Sequence, residues 1–367
     1  MRGSPQPDGT AVEGRSFRLG REDLPVIFAM VGTVLVLHVL GVALLVLTVA
    51  QDFRLGSGEL FGVGLGVTAY TLGMRHAFDA DHIAAIDNTT RKLVGEGGRP
   101  VSVGFWFSLG HSSVVVALCA ALAGGIHVLI GYVQDDSSAL QQSAGIIGSS
   151  VAGTFLIAIG LVNLASLVQI VRVFRRMRSG EFDEVELEKR LNERGIMARL
   201  LNPLTRTVRR PRHMYPAGLL FGLGFDTATS VSLLVIAGGA ALALPWYAIM
   251  SLPLLFAAGM SLFDTADGIV MRTAYGWALD RPVRKVYYNV TVTAVSVVAS
   301  LVIGVIVLAG LVVERTHIDT GPLAWLANIN LDSAGYAMVV ALVGAWLISV
   351  VVWKALRIEE RWERPKA

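Results

Sequence analysis

The sequence predicts an all-α, polytopic integral membrane protein with eight transmembrane helices and with its N- and C-termini cytoplasmic. Three observations predict it. Apolar residues make up 54% of the 367 positions and charged residues only 16%, where a soluble domain carries about a quarter. The apolar residues gather into eight stretches, each long enough for the ~20-residue helix that crosses a hydrocarbon core. Of the 31 Lys and Arg residues, 28 fall on one side of the alternation these stretches impose.

The stretches run Pro25–Ala50, Leu60–Ile86, Val101–Ile130, Ala144–Val171, Tyr215–Ala240, Pro245–Met271, Val286–Val313 and Ser333–Trp353. The first, third, fourth, seventh and eighth contain no Asp, Glu, Lys or Arg. Period-2 alternation is absent, so helices rather than a barrel satisfy the backbone in lipid. Residues 1–24 are polar and rich in Gly and Pro. The apolar run after them is too long for a signal-peptide core and lacks a small-residue cleavage site, so it reads as a retained first helix.

With the N-terminus inside, basic residues collect in the tail to Arg21, in Arg91–Arg99, Arg172–Arg212 and Arg272–Lys285, and from Lys354 onward. Arg54 and Arg315 face out, and Arg75 sits within a span. This is the positive-inside bias of a cytoplasmic membrane protein. The expected organisation is a cytoplasmic tail (1–24), helices one to four (25–171), a basic cytoplasmic connector (172–212), helices five to eight (213–353) and a second cytoplasmic tail (354–367). The connector, charged on most faces over Glu181–Arg194, reads as a solvated loop that sets topology.

Several classes are excluded. There is too much apolar sequence for a disordered chain. The single cysteine, Cys119, permits no internal disulfide and no Cys-rich cluster. A net charge of +3 gives no reason for a nucleic-acid partner.

The informative residues are ionisable groups inside the spans. Helix two carries Arg75, His76, Asp79, Asp81 and His82; helix three carries His111 within Ser108–Ser113; helix five carries Asp226; helix six carries Asp264 and Asp267. An acid or Arg at a helix centre costs roughly 2.5–3.5 kcal/mol, so the five acids and Arg75 facing lipid would together cost on the order of 15–20 kcal/mol. They must face one another, water or a cation. At ~1.5 Å per residue, His111 and Asp226 lie about 15 Å from the inner ends of their helices, and the other clusters fall near the same level. Such a layer suits a dehydrated ion.

Neutral imidazole plus carboxylate, without thiolate, favours divalent Ni, Co, Zn, Fe or Mn. The candidate metal ligands are therefore His76, Asp79, Asp81, His82, His111, Asp226, Asp264 and Asp267. At 100° per residue Arg75, His76, Asp79 and His82 share one arc of about 120°, and Asp81 points away from it. Either Asp81 serves a neighbouring helix or the segment departs from regular helix. Gly73, Gly110, Gly222, Gly224 and Gly259 beside these motifs allow close helix approach. His38 and His127, alone on apolar helices, read as packing residues, Met74 and Met260 as gap-fillers, and Asn163 as interhelical glue. Gly73-Met74 followed by Phe78-Asp79-Ala80-Asp81 is echoed by Gly259-Met260 followed by Phe263-Asp264-Thr265-Ala266-Asp267, as a four-plus-four duplication would produce.

These residues resemble the nickel/cobalt transporter family, whose second-helix signature is His-x4-Asp-His, here His76, Asp81 and His82. Leu109–Ser112, Leu223–Ala228, Gly259–Asp267 and Lys285–Thr291 are similar to its other signatures. One departure is Ser230, where the family's pattern carries Glu. The resemblance implies a single-chain secondary permease that imports Ni2+ or Co2+ as substrate across the cytoplasmic membrane, with no resident cofactor and no ATPase subunit. In agreement, no G-x-x-x-x-G-K-S/T loop is present. A proton-coupled divalent metal exporter would use the same ligands. A membrane-embedded metal-dependent hydrolase would need H-E-x-x-H, which is missing, so the expectation is a transporter and not an enzyme.

Overall fold

The computed structural model describes residues 19–54, 60–123, 139–178, 208–223, 244–279, 282–316, 318, 320–329, 331 and 334–355. The helices are α1 (Leu24–Val49), α2 (Val63–Ala77), α3 (Ala80–Gly95), α4 (Val103–Ala123), α5 (Ala139–Arg178), α6 (Met214–Gly222), α7 (Trp246–Leu279), α8 (Pro282–Thr316), α9 (Pro322–Ala327) and α10 (Ala334–Ala355). Among the described residues there is no strand; Arg54 and Leu60 form one isolated antiparallel bridge between α1 and α2.

Among the described residues, five helices are long and apolar enough to cross a membrane: α1, Val103–Ala121 of α4, Gly145–Ala165 of α5, Trp246–Gly276 of α7 and Thr293–Thr316 of α8. They correspond to the first, third, fourth, sixth and seventh expected spans. The apolar part of α10 is shorter, Gly335–Ile348. Phe28, Leu35, Val39 and Val46 of α1 are all more than half exposed, a surface that water would not tolerate and lipid would.

The second expected span is two helices. Phe78 closes α2, its N–H bonding back to Arg75 O, and Asp79 turns extended (φ −66°, ψ 146°) before α3 begins. The two halves sit differently: 13 of the 16 residues of α3 are buried, so α3 threads the interior of the bundle. Of the fifth expected span only α6 is described. The Gly224–Thr229 motif with Asp226, Ser230, His127 and residues 179–207 of the connector lie outside the described residues.

α7 is the hub, packing against α1, α2, α3 and α4, while α4 also packs on α6, α5 on α8, and α10 on α3 and α8. Backbone contact sets the spacing. A Cβ on Gly73 would collide with the carbonyl of Phe256, one on Gly104 with that of Asp264, and one on Gly110 with that of Tyr215. Gly335 at the start of α10 is equally tight against the Phe78 carbonyl, and the ring of Tyr336 stacks on Phe78 at 5.0 Å. α10 therefore braces the break between α2 and α3.

At one end of the bundle Asp23 accepts from Arg99 (Nη2–Oδ2 2.9 Å) and faces Arg272 at 3.7 Å. The start of α1, the α3–α4 turn and the last third of α7 thus share that end. At the other, Tyr247 donates to Gln51 Oε1 over 2.9 Å, joining the end of α1 to the start of α7.

Candidate metal centre

The break at Phe78–Asp79 decides the geometry. His76 occupies the last turn of α2 and His82 the first turn of α3, and the change of direction between them brings the two rings edge to face at 4.5 Å. His111, from the middle of α4, completes a triangle, 4.8 Å from the ring of His76 and 4.7 Å from that of His82. One nitrogen from each ring lies within 4.8 Å of the others. His76 Nε2 and His111 Nε2 are 3.0 Å apart. Two nitrogens each about 2.1 Å from one ion, at angles from square to tetrahedral, stand roughly 3.0–3.4 Å apart.

Carboxylates hold the outer sides of two rings. Asp79 Oδ2 is 2.6 Å from His76 Nδ1, and Asp264 Oδ2 of α7 is 3.3 Å from His82 Nδ1. A proton on each Nδ1 donates to its acid and leaves the Nε2 lone pair for the centre, the carboxylate–histidine–metal arrangement that fixes the tautomer and raises donor strength. His82 Nε2 is buried with no hydrogen-bond partner among the described residues, which such an arrangement requires of an acceptor awaiting a cation. His82 and His111 are essentially inaccessible, and the His76 side chain keeps 17% of its surface. Phe107 stands edge-on to His82 at 4.8 Å and Phe256 lies 5.9 Å from His76, walls that exclude water and strengthen electrostatics inside.

Asp79 stands at the N-cap position of α3 but makes no side-chain cap bond, its carboxylate being engaged by His76. Asp81, the second residue of α3, accepts the His82 N–H at Oδ1 over 3.0 Å; its charge is within reach of His82 and Asp264. Arg75 is exposed and within electrostatic reach of Asp79. Asp267 stands apart from the imidazole triangle, with Oδ2 buried and lacking a hydrogen-bond partner among the described residues. His38 engages Val34 O and the Tyr70 hydroxyl, and Met260 fills an apolar cluster with Ala77, Val115, Cys119 and Phe256.

One polar layer escaped the sequence reading. Asp87, Asn88 and Arg91 of α3 are buried with Tyr275 of α7 and Ser296 of α8, and Asn163 of α5 donates to Asn88 Oδ1 over 2.5 Å. The second expected span ends at Ile86 and the sixth at Met271, so Asp87 and Tyr275 fall outside both. The 3.6-residue period was the available signal, since Tyr275 lies three turns from Asp264 on one face of α7.

Several apolar helices around a buried imidazole and carboxylate cluster define a multi-pass membrane protein with a polar heart. Comparison with known proteins gives that class its family. Residues 62–352 match the sequence profile of NicO, described as high-affinity nickel-transport protein. The chain is 51% identical over 335 residues to the nickel transporter NicT of Mycobacterium tuberculosis, covering 91% of this chain and 90% of that one. It is 43% identical over 335 residues to the nickel transporter NixA of Staphylococcus aureus (91% and 96% covered) and 42% identical over 322 residues to the cobalt transport protein NhlF of Rhodococcus rhodochrous (87% and 89% covered). No solved structure matches. The chain belongs to the NicO family of high-affinity nickel transporters, which are transporters and not enzymes.

Proposed function

We propose that this protein imports Ni2+, Co2+ or both across the cytoplasmic membrane as a single-chain secondary permease. It spans the bilayer eight times with both termini inside, and its halves, 25–171 and 213–353, are joined by the cytoplasmic connector 172–212. Its partners are the divalent ion and the lipid bilayer, with no ATPase subunit. The carrying observation is the triangle of His76, His82 and His111, drawn from α2, α3 and α4 and backed by Asp79 and Asp264.

Three neutral imidazoles make a nitrogen face of the softness that Ni2+ and Co2+ favour over alkali or alkaline-earth ions. The two backing carboxylates balance the double charge of an ion that has shed water, so the loaded centre is neutral where charge is costly. The helix break adds to this. The last turn of α2 turns its negative end toward the site, and Asp79 and Asp81 offset the positive end of α3. Asp264 and Asp267 line the route beyond the imidazoles, and Asp226 is a further acid that the sequence assigns to the path. The shared end of α1, the α3–α4 turn and α7 at Asp23, Arg99 and Arg272 supports the alternation of spans, and the basic residues gathered there support an inside orientation for that end.

The test is radiolabelled Ni2+ uptake into proteoliposomes by His76→Ala and Asp81→Asn. Loss of uptake in both is expected; wild-type rates in both would remove the assignment. Cells expressing the protein should become Ni2+-sensitive, whereas export would make them resistant.

A further inference from the structure

None of the candidate ligands comes from α10, yet the start of that helix touches the backbone of the metal centre. Gly335 packs so closely on the Phe78 carbonyl that a Cβ there would collide with it, and the same Cβ would stand 3.0 Å from the Asp79 carbonyl carbon. Beside this contact the Tyr336 ring stacks on that of Phe78 at 5.0 Å and 19°. Phe78 also meets Phe263 of α7, with centroids 5.4 Å apart and planes tilted by 56°. Phe263 in turn packs on the apolar cluster of Ala77, Val115, Cys119, Phe256 and Met260. Phe256 is the ring that lies 5.9 Å from His76.

The two phenylalanines hold equivalent places. Phe78 immediately precedes Asp79, which pairs with His76, and Phe263 immediately precedes Asp264, which pairs with His82. Packed aromatic rings resist displacement. A ring fixed by its neighbours fixes the backbone it grows from, and so constrains the carboxylate one residue on. The constraint matters most at Phe78 and Asp79, which stand between α2 and α3 rather than within either helix. Imidazole nitrogens bind an ion from about 2.1 Å, and a working site tolerates displacements of only about 0.5 Å.

We infer that Tyr336, Phe78 and Phe263 form an aromatic stack that positions the metal centre, with Tyr336 of α10 setting the approach of His76 to His82. The inference rests on the proposed Ni2+ or Co2+ site. Phe78 and Phe263 act through the acids that follow them, and Tyr336 acts through Phe78. Tyr336 is 45% exposed and both phenylalanines are half-buried, so the stack borders the centre from outside the packed core. Loss of the Tyr336 ring therefore frees the break between α2 and α3 without opening the interior.

The experiment titrates the purified full chain in lipid nanodiscs with Ni2+ and Co2+. Affinity is read by isothermal titration, the geometry of the Co2+ site by its visible d–d absorption, and the fold by a thermal melt. Tyr336→Ala should weaken both ions by roughly tenfold, the lower end for groups that orient a ligand. Its Co2+ bands should change in position and intensity, because the angle between the two imidazoles relaxes. Tyr336→Phe keeps the stacking face and should hold wild-type affinity within about twofold, with the wild-type spectrum. Phe263→Leu keeps apolar volume, loses the ring and should match Tyr336→Ala. Wild-type affinity and spectrum in Tyr336→Ala, whatever its melting point, overturn the stack and leave the metal site standing. A Tyr336→Phe variant as impaired as Tyr336→Ala does the same. No binding of either ion by wild type overturns the site and the stack with it. Should Tyr336→Ala fail to fold, Tyr336→Leu reads the same stack with the same expected loss.

Discussion

His82 meets Asp264 at Nδ1 while its Nε2 is buried without a hydrogen-bond partner among the described residues, so the two sides of one ring divide orientation from binding. Asp264→Asn leaves an acceptor of the same shape and removes the charge. Nickel affinity should fall by about 10–100-fold with the fold retained, as isothermal titration and a thermal melt of the same preparation would show. Unchanged affinity would mean that the carboxylate does not tune the ring. His111→Ala removes a donor outright and should abolish tight binding. His76, His82, His111 and Asp264 were legible in the sequence because a charged or imidazole side chain inside an apolar run has few tolerable explanations. The pairing of Asp79 with His76 and of Asp264 with His82 was not, because composition reports which groups are present and says nothing of which ring nitrogen each acid meets. Tyr275 was hidden for another reason. A buried phenol costs far less than a buried acid, and nothing in hydropathy marks it.

The second expected span shows what periodicity misses in a broken helix. The 100° wheel treats Arg75 to His82 as one continuous cylinder, on which Asp81 points away from the histidines. The extended Asp79 resets the phase, so that His82 faces His76 across the break and Asp81 becomes a first-turn acid of α3. The echo in α7 carries the same Phe-Asp step, Phe263-Asp264, without a break. Local sequence alone therefore does not produce the kink; the close seating of Gly335 and Tyr336 from α10 against Phe78 is the tertiary difference. The glycines, by contrast, were legible as packing positions, and four of those named at the outset, Gly73, Gly110, Gly222 and Gly259, contact neighbouring backbones as expected. Gly104, not among them, is tight against the Asp264 carbonyl. Gly104→Leu should force α4 from α7 and destabilise the protein by about 1–3 kcal/mol or more. A melting point lowered by several degrees in detergent, with weaker nickel binding because Asp264 moves, is the expected reading; an unchanged melt would refute the tight approach.

Across the whole molecule, the lipid-facing apolar surface of α1 and the sealed interior of α3 are two sides of one constraint. Among the described residues the three imidazoles and their backing acids are withdrawn to the α2–α3–α4–α7 centre, so α1 is free to be almost featureless. A loaded centre that is neutral still receives its ion as a dication and gives it up as one, so net import moves two positive charges through the membrane field. At ~2.3 kcal/mol per charge per 100 mV, an inside-negative potential of about 100 mV is worth about 4.6 kcal/mol to a divalent ion, an accumulation of roughly three orders of magnitude at equilibrium. Proteoliposomes clamped with a potassium gradient and valinomycin should therefore take up Ni2+ faster as the interior is made more negative, and should stop or reverse when the gradient is inverted. A rate indifferent to the clamp, with Asp264→Asn equally indifferent, would show that compensating charge moves outward with each ion and would overturn uncompensated entry.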